Sequence, residues 1–302
     1  MQQHIEKVRS TDDFITNAVA GATTFNSPTI VFKENVKAGT LVEVPVYSNQ
    51  LKLRAGNNVK TSSGGTTIST IQLGTSLFTH FDIMTGQDLS DRFPQILHAG
   101  ATSEIDMPEA ILANYTVLVQ NAVSEAVWQG GYNGYAGDVT IDGWLKQLVN
   151  TSHSAKTYNQ SVAYAFSAQN AVSLVNTFLQ SRPNRLYTAP IELRMSPQAF
   201  ESLKLGYIQE KSYFHDPTLD PWKMNINGIS NCVAVADTGL VGAKAMVAIT
   251  TNTLYAAADL KSDQNEIKFG YDDKLNESWM RICLSIGCKV ALPEDIGVFR
   301  FA

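Results

Sequence analysis

The residues whose chemistry could support catalysis are few and scattered in this chain of 302 residues. His215 and Asp216 are adjacent and could act as half of an acid–base pair, but they lie in a stretch predicted to be irregular. The chain has no phosphate-binding loop, dinucleotide fingerprint, nucleophilic serine motif or zinc-protease motif. The five histidines show no spacing typical of metal ligands: His4, His80, His98, His153 and His215. The sequence therefore predicts a protein that is not an enzyme and has no cofactor and no metal site.

Four aromatic residues in the same irregular stretch could stack on a ligand: Tyr207, Tyr213, Phe214 and Trp222. We interpret them as core or interface residues. The alternative of an α/β enzyme or ligand-binding protein with a site near residues 207–222 stays open.

The three cysteines are an odd count, and two of them occupy one predicted strand. Cys283 and Cys288 are five residues apart, so their side chains face opposite sides of that strand and cannot share a metal ion. We interpret the cysteines as buried, reduced thiols.

The bulk composition indicates a globular protein that carries little charge. Apolar residues make up 44% and charged residues 17% of the chain, and the formal net charge is −5. A dedicated nucleic-acid binder needs clustered lysine and arginine, so this class is excluded. The sequence contains no apolar run of about 18 residues that could cross a membrane, and its first residues are not those of a signal peptide.

The charge is nevertheless unevenly distributed between two neighbouring segments. Between Val44 and Phe81 the charged residues are all basic. In residues 82–109 all charged residues except Arg92 are acidic. This asymmetry predicts pairing between identical subunits. The residues expected to form the contact are Lys52, Arg54 and Lys60 on one subunit and Asp82, Asp88 and Asp91 on the next.

The basic segment is itself predicted to be a long β-hairpin. Residues 41–55 and 66–83 are rich in Val, Ile, Thr, Leu and Phe, and the Gly-, Asn- and Ser-rich residues 56–65 form its tip. An isolated hairpin is marginally stable in water, so this one needs a surface to lie on.

The rest of the chain must position that hairpin, and its main elements are one strand and one helix. Residues 279–292 alternate apolar and other residues, which predicts an unusually long strand. Residues 107–129 carry apolar residues at helical spacing, including Ile111, Leu112, Tyr115 and Leu118, with Asp106 as the N-cap and Gly130–Gly131 as the stop. We expect Met280 to Leu292 to bury their even-numbered face on residues 111–127. The odd face, with Arg281, Ser285 and Lys289, should face solvent or a neighbouring subunit.

Residues 131–252 alternate helices and strands and predict an inserted α/β unit. The expected helices are 141–149, 168–180 capped by Ser167, and one that opens at Ser196–Pro197. Residues 1–33 are expected to fray or to lean on a neighbour as an arm.

This layout, an arm, a hairpin, a long helix, an inserted α/β unit and a return to long strands, resembles the major capsid proteins of tailed bacteriophages. Their fold is shared by encapsulin shells and the floor domain of herpesvirus capsids. The segments that carry the resemblance are IELRMSPQAFESLKLGYIQEKSYFHD (191–216), TNTLYAAADLKSDQNEIKFGYDD (251–273) and LPEDIGVF (292–299).

The resemblance implies an α+β fold in four parts. Residues 1–33 would be the N-terminal arm and residues 34–83 the extended loop. Residues 84–145 and 253–302 would form the peripheral domain around the spine helix 107–129, and residues 146–252 the axial domain.

The resemblance also implies a function and partners. The chain would assemble with itself into hexamers and pentamers of an icosahedral or prolate head that encloses double-stranded DNA without sequence-specific binding. Since only about 30 residues precede the hairpin, a separate scaffolding protein or none is expected, with a portal and decoration proteins as further partners. The protein would be made in the host cytoplasm and located in the virion. An encapsulin-type nanocompartment shell is the nearest alternative.

Some relatives join a hairpin lysine covalently to an asparagine of the peripheral domain. Lys52 or Lys60 and Asn276 lie in the corresponding regions. Nothing in the sequence identifies the acid that this reaction requires, so no cross-link is predicted.

Overall fold

The computed structural model describes the following residues, and each structural statement below refers to them: 5–7, 19, 21–22, 24–25, 27–36, 40–47, 66–73, 75–85, 107–132, 141–150, 157–211, 221–226, 228–229, 231–259, 266–272 and 277–302. Within these ranges no helix is both long enough and apolar enough to span a bilayer.

The first β-sheet is organised around one strand of 14 residues, β13 (Glu277–Val290). The other five strands of this sheet are β1 (Ile5–Lys7), β2 (Ile30–Glu34), β5 (Ser76–Thr85), β11 (Leu254–Ala258) and β12 (Glu266–Asp272). Three of them, β5, β11 and β12, pair antiparallel with β13. β2 is parallel to β11, and β1 is antiparallel to β12. One long strand therefore joins both ends of the chain in a single sheet.

The long helix α1 (Met107–Gln129) packs on the even-numbered face of β13, as predicted. Its residues in the shared core are Tyr115, Val119, Val123, Ala126 and Val127. The residues of β13 in the same core are Met280, Ile282, Leu284, Ile286, Cys288 and Val290. The helix ends where the two glycines predicted a stop, because Gly131 adopts a left-handed φ of 62°. Gly130 allows a close approach of the following segment, since a Cβ there would lie 2.3 Å from the backbone oxygen of Ile141.

The prediction for Leu118 is wrong, because this residue is 60% exposed. Successive helical residues are about 100° apart, so Leu118 lies beside the face that Tyr115, Val119 and Val123 define. Ile111, Leu112 and Asp106 lie outside the described side chains.

The odd-numbered face of β13 is also partly covered, which corrects the expectation that it faces solvent or a neighbour. Arg281 is exposed and Lys289 is half-buried, but Ser285 and Cys283 are buried. A small second core covers part of this face, formed by Val36, Leu73, Tyr255 and Ala257 with Val31, Ile71, Ala291 and Leu292 packed against it. Leu292 was expected on the even face; it packs here because β13 ends at Val290.

The predicted hairpin is confirmed as an antiparallel ladder of β3 (Thr40–Tyr47) and β4 (Thr66–Leu73), but it is shorter than expected. Residues 76–83 were predicted to continue its second strand. They form β5 instead, which pairs with β13 from Glu277 to Ile286. A strand of 14 residues offers backbone donors and acceptors along its whole length, and β5 satisfies them on one edge.

The second β-sheet carries the predicted α/β unit, with strand order β6-β14-β10-β7-β9-β8. Its strands are β6 (Tyr158–Ser161), β7 (Ile191–Met195), β8 (Lys223–Asn225), β9 (Cys232–Ala236), β10 (Ala245–Ile249) and β14 (Gly297–Arg300). Helices α3 (Ala171–Gln180) and α4 (Pro197–Lys211) pack on one face of it. The other face joins the core of the first sheet, since Met246 and Ala248 lie on the helix side and Val247 and Ile249 on the opposite side.

The four-part division of the chain stays a prediction, but several of its boundaries disagree with the pairing of the strands. β14 was assigned to the peripheral domain, yet it pairs with β10 and β6 of the second sheet. Helix α2 (Trp144–Asn150) straddles the expected boundary at residue 145, and Trp144, Leu145 and Leu148 pack in the first core. Strand alternation predicts that a segment is a strand, but it does not say which sheet the strand joins.

The N-terminal residues are likewise part of the subunit rather than a free arm. β1 and β2 lie in the first sheet, and Val19 and Ala22 are buried in its core. The arm expected for residues 1–33 stays a prediction as a domain; its described residues pair and pack within their own chain.

Two helix starts test the predicted capping residues. The Ser196 hydroxyl oxygen accepts a hydrogen bond from the Ala199 amide (3.3 Å), which confirms it as the cap of α4. Ser167 does not cap α3; the helix starts later, after Asn170, whose side chain accepts from the Ser167 amide. α4 also continues through Gly206 to Lys211, where an irregular stretch was expected. Glycine is needed there because a Cβ would lie 2.7 Å from the Ala168 oxygen.

Candidate functional site: assembly surfaces and the junction cluster

The β3–β4 ladder is anchored to the rest of the subunit at its base. β3 and β4 pair with each other and with no third strand. Eight residues in each strand make a ladder about 27 Å long. Leu73 is buried and Ile71 packs beside it on the small second core, so the end of β4 is anchored. A two-stranded ladder is marginal by itself, so the rest of it requires another surface.

The register shows which face of the ladder could meet that surface. Cross-strand partners share a face, and Thr40 pairs with Leu73, Val42 with Ile71 and Val44 with Ser69. Val42, Val44 and Val46 therefore occupy the same face as the buried Leu73 and Ile71. We call this the valine face. The predicted subunit contact rested on the basic residues of the hairpin and did not include this apolar alternation.

The predicted charge contact stays a prediction. Lys52, Arg54, Lys60, Asp88 and Asp91 lie outside the described residues, as does Asn276. Asp82 is described. It lies in β5 opposite Met280 and accepts a hydrogen bond from the Tyr115 hydroxyl, so it joins β5 to helix α1 within one subunit.

Pairs of exposed apolar side chains mark three further surfaces that could contact another molecule. Val117 and Leu118 on α1 are 58% and 60% exposed. Leu77 and Ile83 are exposed on β5, and Leu205 and Ile208 are exposed one turn apart on α4. Large exposed aliphatic residues in neighbouring positions are typical of interaction surfaces.

The strongest concentration of charge in the described chain is buried where the two sheets meet. Asp237 follows β9, and its side chain is fully buried. One carboxylate oxygen accepts from the Thr24 hydroxyl (2.8 Å) and the Gly239 amide (2.9 Å). The other accepts from the Trp128 indole (2.9 Å) and from Arg194 (2.5 Å). This carboxylate is therefore satisfied by four different parts of the chain.

Arg194 connects Asp237 to a second carboxylate. Its guanidinium is buried on β7 and donates to Asp237, to the Thr24 backbone oxygen (3.2 Å) and to Glu192 (3.2 Å). Glu192 also accepts from the Ser27 hydroxyl (2.7 and 2.8 Å) and the Thr29 hydroxyl (2.7 Å). We call these residues the junction cluster: Thr24, Ser27, Thr29, Trp128, Glu192, Arg194 and Asp237.

The backbone around the junction cluster fits it closely. Gln129 at the end of α1 donates to the backbone oxygens of Gly239 (2.7 Å) and Val241 (2.8 Å). A Cβ at Gly239 would lie 2.3 Å from Trp128 Cδ1 and 2.5 Å from the Ser124 oxygen. The 3₁₀ turn at 238–240 can therefore approach the helix only because residue 239 is glycine.

The arrangement has no access for a substrate, because Asp237 and Arg194 are both almost completely removed from solvent. The side-chain partners of Asp237 are separated from it by 43 to 213 residues in sequence, so no local motif could reveal the cluster. The one available signal was the pair Glu192 and Arg194, two charged residues in a short central strand whose other residues are apolar.

The residues proposed for other chemistry do not form a site in the described chain. Tyr207 is a buried member of the core beneath α3 and α4, so it cannot stack on a ligand. Trp222 is exposed, and Tyr213, Phe214 and His215 lie outside the described residues. No group of His, Cys, Asp and Glu side chains within the described ranges could hold a metal ion.

The three cysteines are free and buried, as predicted. Burial raises the pKa of Cys232 to about 12 and the pKa of Cys288 to about 12. At neutral pH these two thiols are therefore protonated and cannot act as nucleophiles.

The fold is similar to that of chains in solved phage and phage-like particles. A chain in the procapsid of satellite phage P4, a structure that includes the size determination (Sid) protein, has a TM-score of 0.57 at 10% identity, covering 95% of this chain and 98% of that chain. A chain in the capsid of an empty GTA particle has a TM-score of 0.54 at 12% identity, covering 98% and 92%. A chain in the capsid of the Myoviridae phage XM1 has a TM-score of 0.51 at 11% identity, covering 92% of both.

No family model matches the chain, and no curated protein matches it in sequence. At these identities the structural likeness shows the fold. The chain has the α+β capsid-protein fold along nearly its whole length.

Proposed function

We propose, with the capsid-protein fold as the premise, that this chain is the major capsid protein of a tailed bacteriophage. It would assemble with itself into hexamers and pentamers of an icosahedral or prolate head that encloses double-stranded DNA. The observation that carries the proposal is the likeness to a procapsid chain over 95% of this chain and 98% of that one.

The β3–β4 ladder supports assembly on physical grounds. Its valine face extends away from Leu73 and Ile71, which are the residues that anchor it. A second copy of the chain is the surface that would cover it. A contact between a projecting element and a different part of the next subunit is head-to-tail, and repeated contacts of this kind close rings.

The proposed role is structural. The acidic and basic groups of the junction cluster are buried or partly buried and paired with one another, and the thiols of Cys232 and Cys288 are protonated. The net charge of −5 suits a wall that must not hold packaged DNA tightly. We propose the virion as its location, synthesis in the host cytoplasm, and a scaffolding protein, a portal and decoration proteins as partners.

Electron microscopy of the expressed protein, alone and together with a scaffolding protein encoded beside it, tests the proposal. Closed shells are expected. A chain that stays a 33.0 kDa monomer under all these conditions would contradict it. The contents of shells purified from infected cells separate the two shell functions, because a phage head holds nuclease-protected DNA whereas an encapsulin holds a protein cargo.

A further inference from the structure

The N-terminal segment connects the two sheets through hydroxyl groups. Thr24, Ser27 and Thr29 bind carboxylates of the second sheet region, Asp237 and Glu192. Immediately after Thr29 the chain enters β2, which belongs to the first sheet. A stretch of six residues, 24–29, therefore has one end hydrogen-bonded to the second sheet and the other end built into the first.

The contacts between the sheets are of two different kinds. The shared core places Val247 and Ile249 of β10 with Leu254 of β11 and Ile286 of β13. Apolar burial of this kind stabilises the subunit but is not directional, so it tolerates small sliding and rotation. Hydrogen bonds to a buried charge are directional, and they lose strength steeply when their geometry changes.

The three hydroxyl groups donate hydrogen bonds that the two carboxylates of the cluster would otherwise lack. The cluster holds two carboxylates, Glu192 and Asp237, and one guanidinium, Arg194. Without the Ser27 and Thr29 hydroxyls, the described donor left to the Glu192 carboxylate is the Arg194 guanidinium, at 3.2 and 3.4 Å. A partly buried carboxylate that loses donors is less stable, so the cluster favours the state in which residues 24–29 are docked.

The segment also has an apolar attachment of its own. The rings of Phe25 and Phe32 stack with their centroids 4.8 Å apart, and both pack on the first core. The hydroxyl contacts therefore act on a segment that is already held against the first sheet.

We propose that Thr24, Ser27 and Thr29 form a clasp that fixes the orientation of the second sheet relative to the first. The apolar core holds the sheets together, and the clasp selects one arrangement of them. In a shell built from this chain, which rests on the proposed function, that arrangement sets the angle between the contacts of the two sheets. It thereby sets the curvature and diameter of the shell, because repeated identical contacts close at one angle only.

The test is a triple substitution, Thr24→Val, Ser27→Ala and Thr29→Val, which removes the hydroxyls and keeps the side chains small. In the unassembled subunit, hydrogen exchange of the amides in residues 27–34 should accelerate at least about 10-fold, because roughly four buried or partly buried hydrogen bonds are lost. A matched control removes three exposed hydroxyls of the second sheet region: Ser173→Ala, Thr177→Val and Thr188→Val. Exchange in residues 27–34 of the control should stay within about 2-fold of the unmodified chain.

Two outcomes would overturn the clasp. One is unchanged exchange of residues 27–34 in the triple variant. The other is accelerated exchange with shells of the same narrow diameter distribution as the unmodified chain, which would leave the segment docked by the cluster but without influence on orientation. If the triple variant does not fold, Ser27→Ala alone serves in both measurements, with a smaller expected acceleration. If the unmodified chain forms no shells, the proposed function fails, while the exchange measurement still decides whether the hydroxyls hold the segment.

Discussion

The β3–β4 ladder and the junction cluster are opposite solutions to the same requirement, that every polar backbone and side-chain group find a partner. The ladder pairs its backbone internally, and among its described side chains Leu73 and Ile71 anchor it in the subunit. The junction cluster buries Arg194 and Asp237, partly buries Glu192, and satisfies all three charged side chains within one chain. We therefore expect the free subunit to be rigid where the two sheets meet, and its hairpin to lack a covering surface. Assembly should change the second region and leave the first as it is.

The largest effect on the free subunit is expected from Asp237→Ala. This change leaves the buried Arg194 without its closest counter-ion, and it also removes an acceptor from Trp128 and Thr24. Loss of one partner of a buried ion pair typically costs about 3–5 kcal/mol. Denaturant unfolding of the unassembled subunit measures it. Asp142→Ala is the control, because Asp142 pairs with Lys146 in an exposed position and should cost less than about 1 kcal/mol. Equal losses of stability from the two substitutions would show that the junction cluster does not stabilise the subunit.

A smaller loss is expected from Gly239→Ala. The added Cβ would lie 2.3 Å from Trp128 Cδ1, so the helix and the 3₁₀ turn must separate. Overpacking of this kind costs about 1–3 kcal/mol. Unfolding monitored by tryptophan fluorescence measures the loss. An unfolding free energy equal to that of the unmodified chain would show that a Cβ fits between the 3₁₀ turn and Trp128, and would contradict this prediction.

The hairpin should behave in the opposite way, with little effect on the subunit and a large effect on assembly. Val44→Asp places a charge on the valine face, away from the anchored end. The unfolding free energy of the subunit should change by less than about 0.5 kcal/mol, and shells should no longer form. Gln72→Asp introduces the same charge on the opposite face at an exposed position and should leave assembly intact. Normal shells from Val44→Asp would contradict the assignment of this face.

The smallest expected effect comes from the predicted charge contact. Reversing Lys52, Arg54 and Lys60 to Glu should slow assembly without changing the folded subunit, since exposed ion pairs contribute only about 0.2–1 kcal/mol each. Light scattering during assembly measures the rate. Adding Asp88→Lys and Asp91→Lys to the same chain should restore part of it. If neither set of substitutions changes the assembly rate, apolar contacts alone join the subunits.

The sequence predicted the elements that carry a strong period, and it failed where the structure depends on contacts between distant residues. The even face of β13 and the helix residues Tyr115, Val119 and Val123 were predicted to meet because each pattern needs an apolar partner of equal length. The same reasoning could not assign β5 or β14 to a sheet, since alternation carries no information about the partner strand.

The junction cluster illustrates the limit most clearly. Trp128 and Asp237 are separated by 109 residues, and Thr24 and Asp237 by 213. Each residue taken alone has an ordinary sequence context, and only the fold brings them together. The valine face, in contrast, is visible in the sequence as the alternating Val42, Val44 and Val46. The prediction of a subunit contact rested on the basic residues of the hairpin and did not use this alternation.

The most direct test of the account compares hydrogen exchange in the unassembled subunit and in purified shells. The amides of β3 and β4 should exchange quickly in the subunit and become strongly protected in the shell, because a neighbouring copy then covers the valine face. The amides of β7 and of residues 237–240 should be protected equally in both states. The account would be contradicted by a ladder that is already fully protected in the free subunit, or by a junction that becomes protected only on assembly.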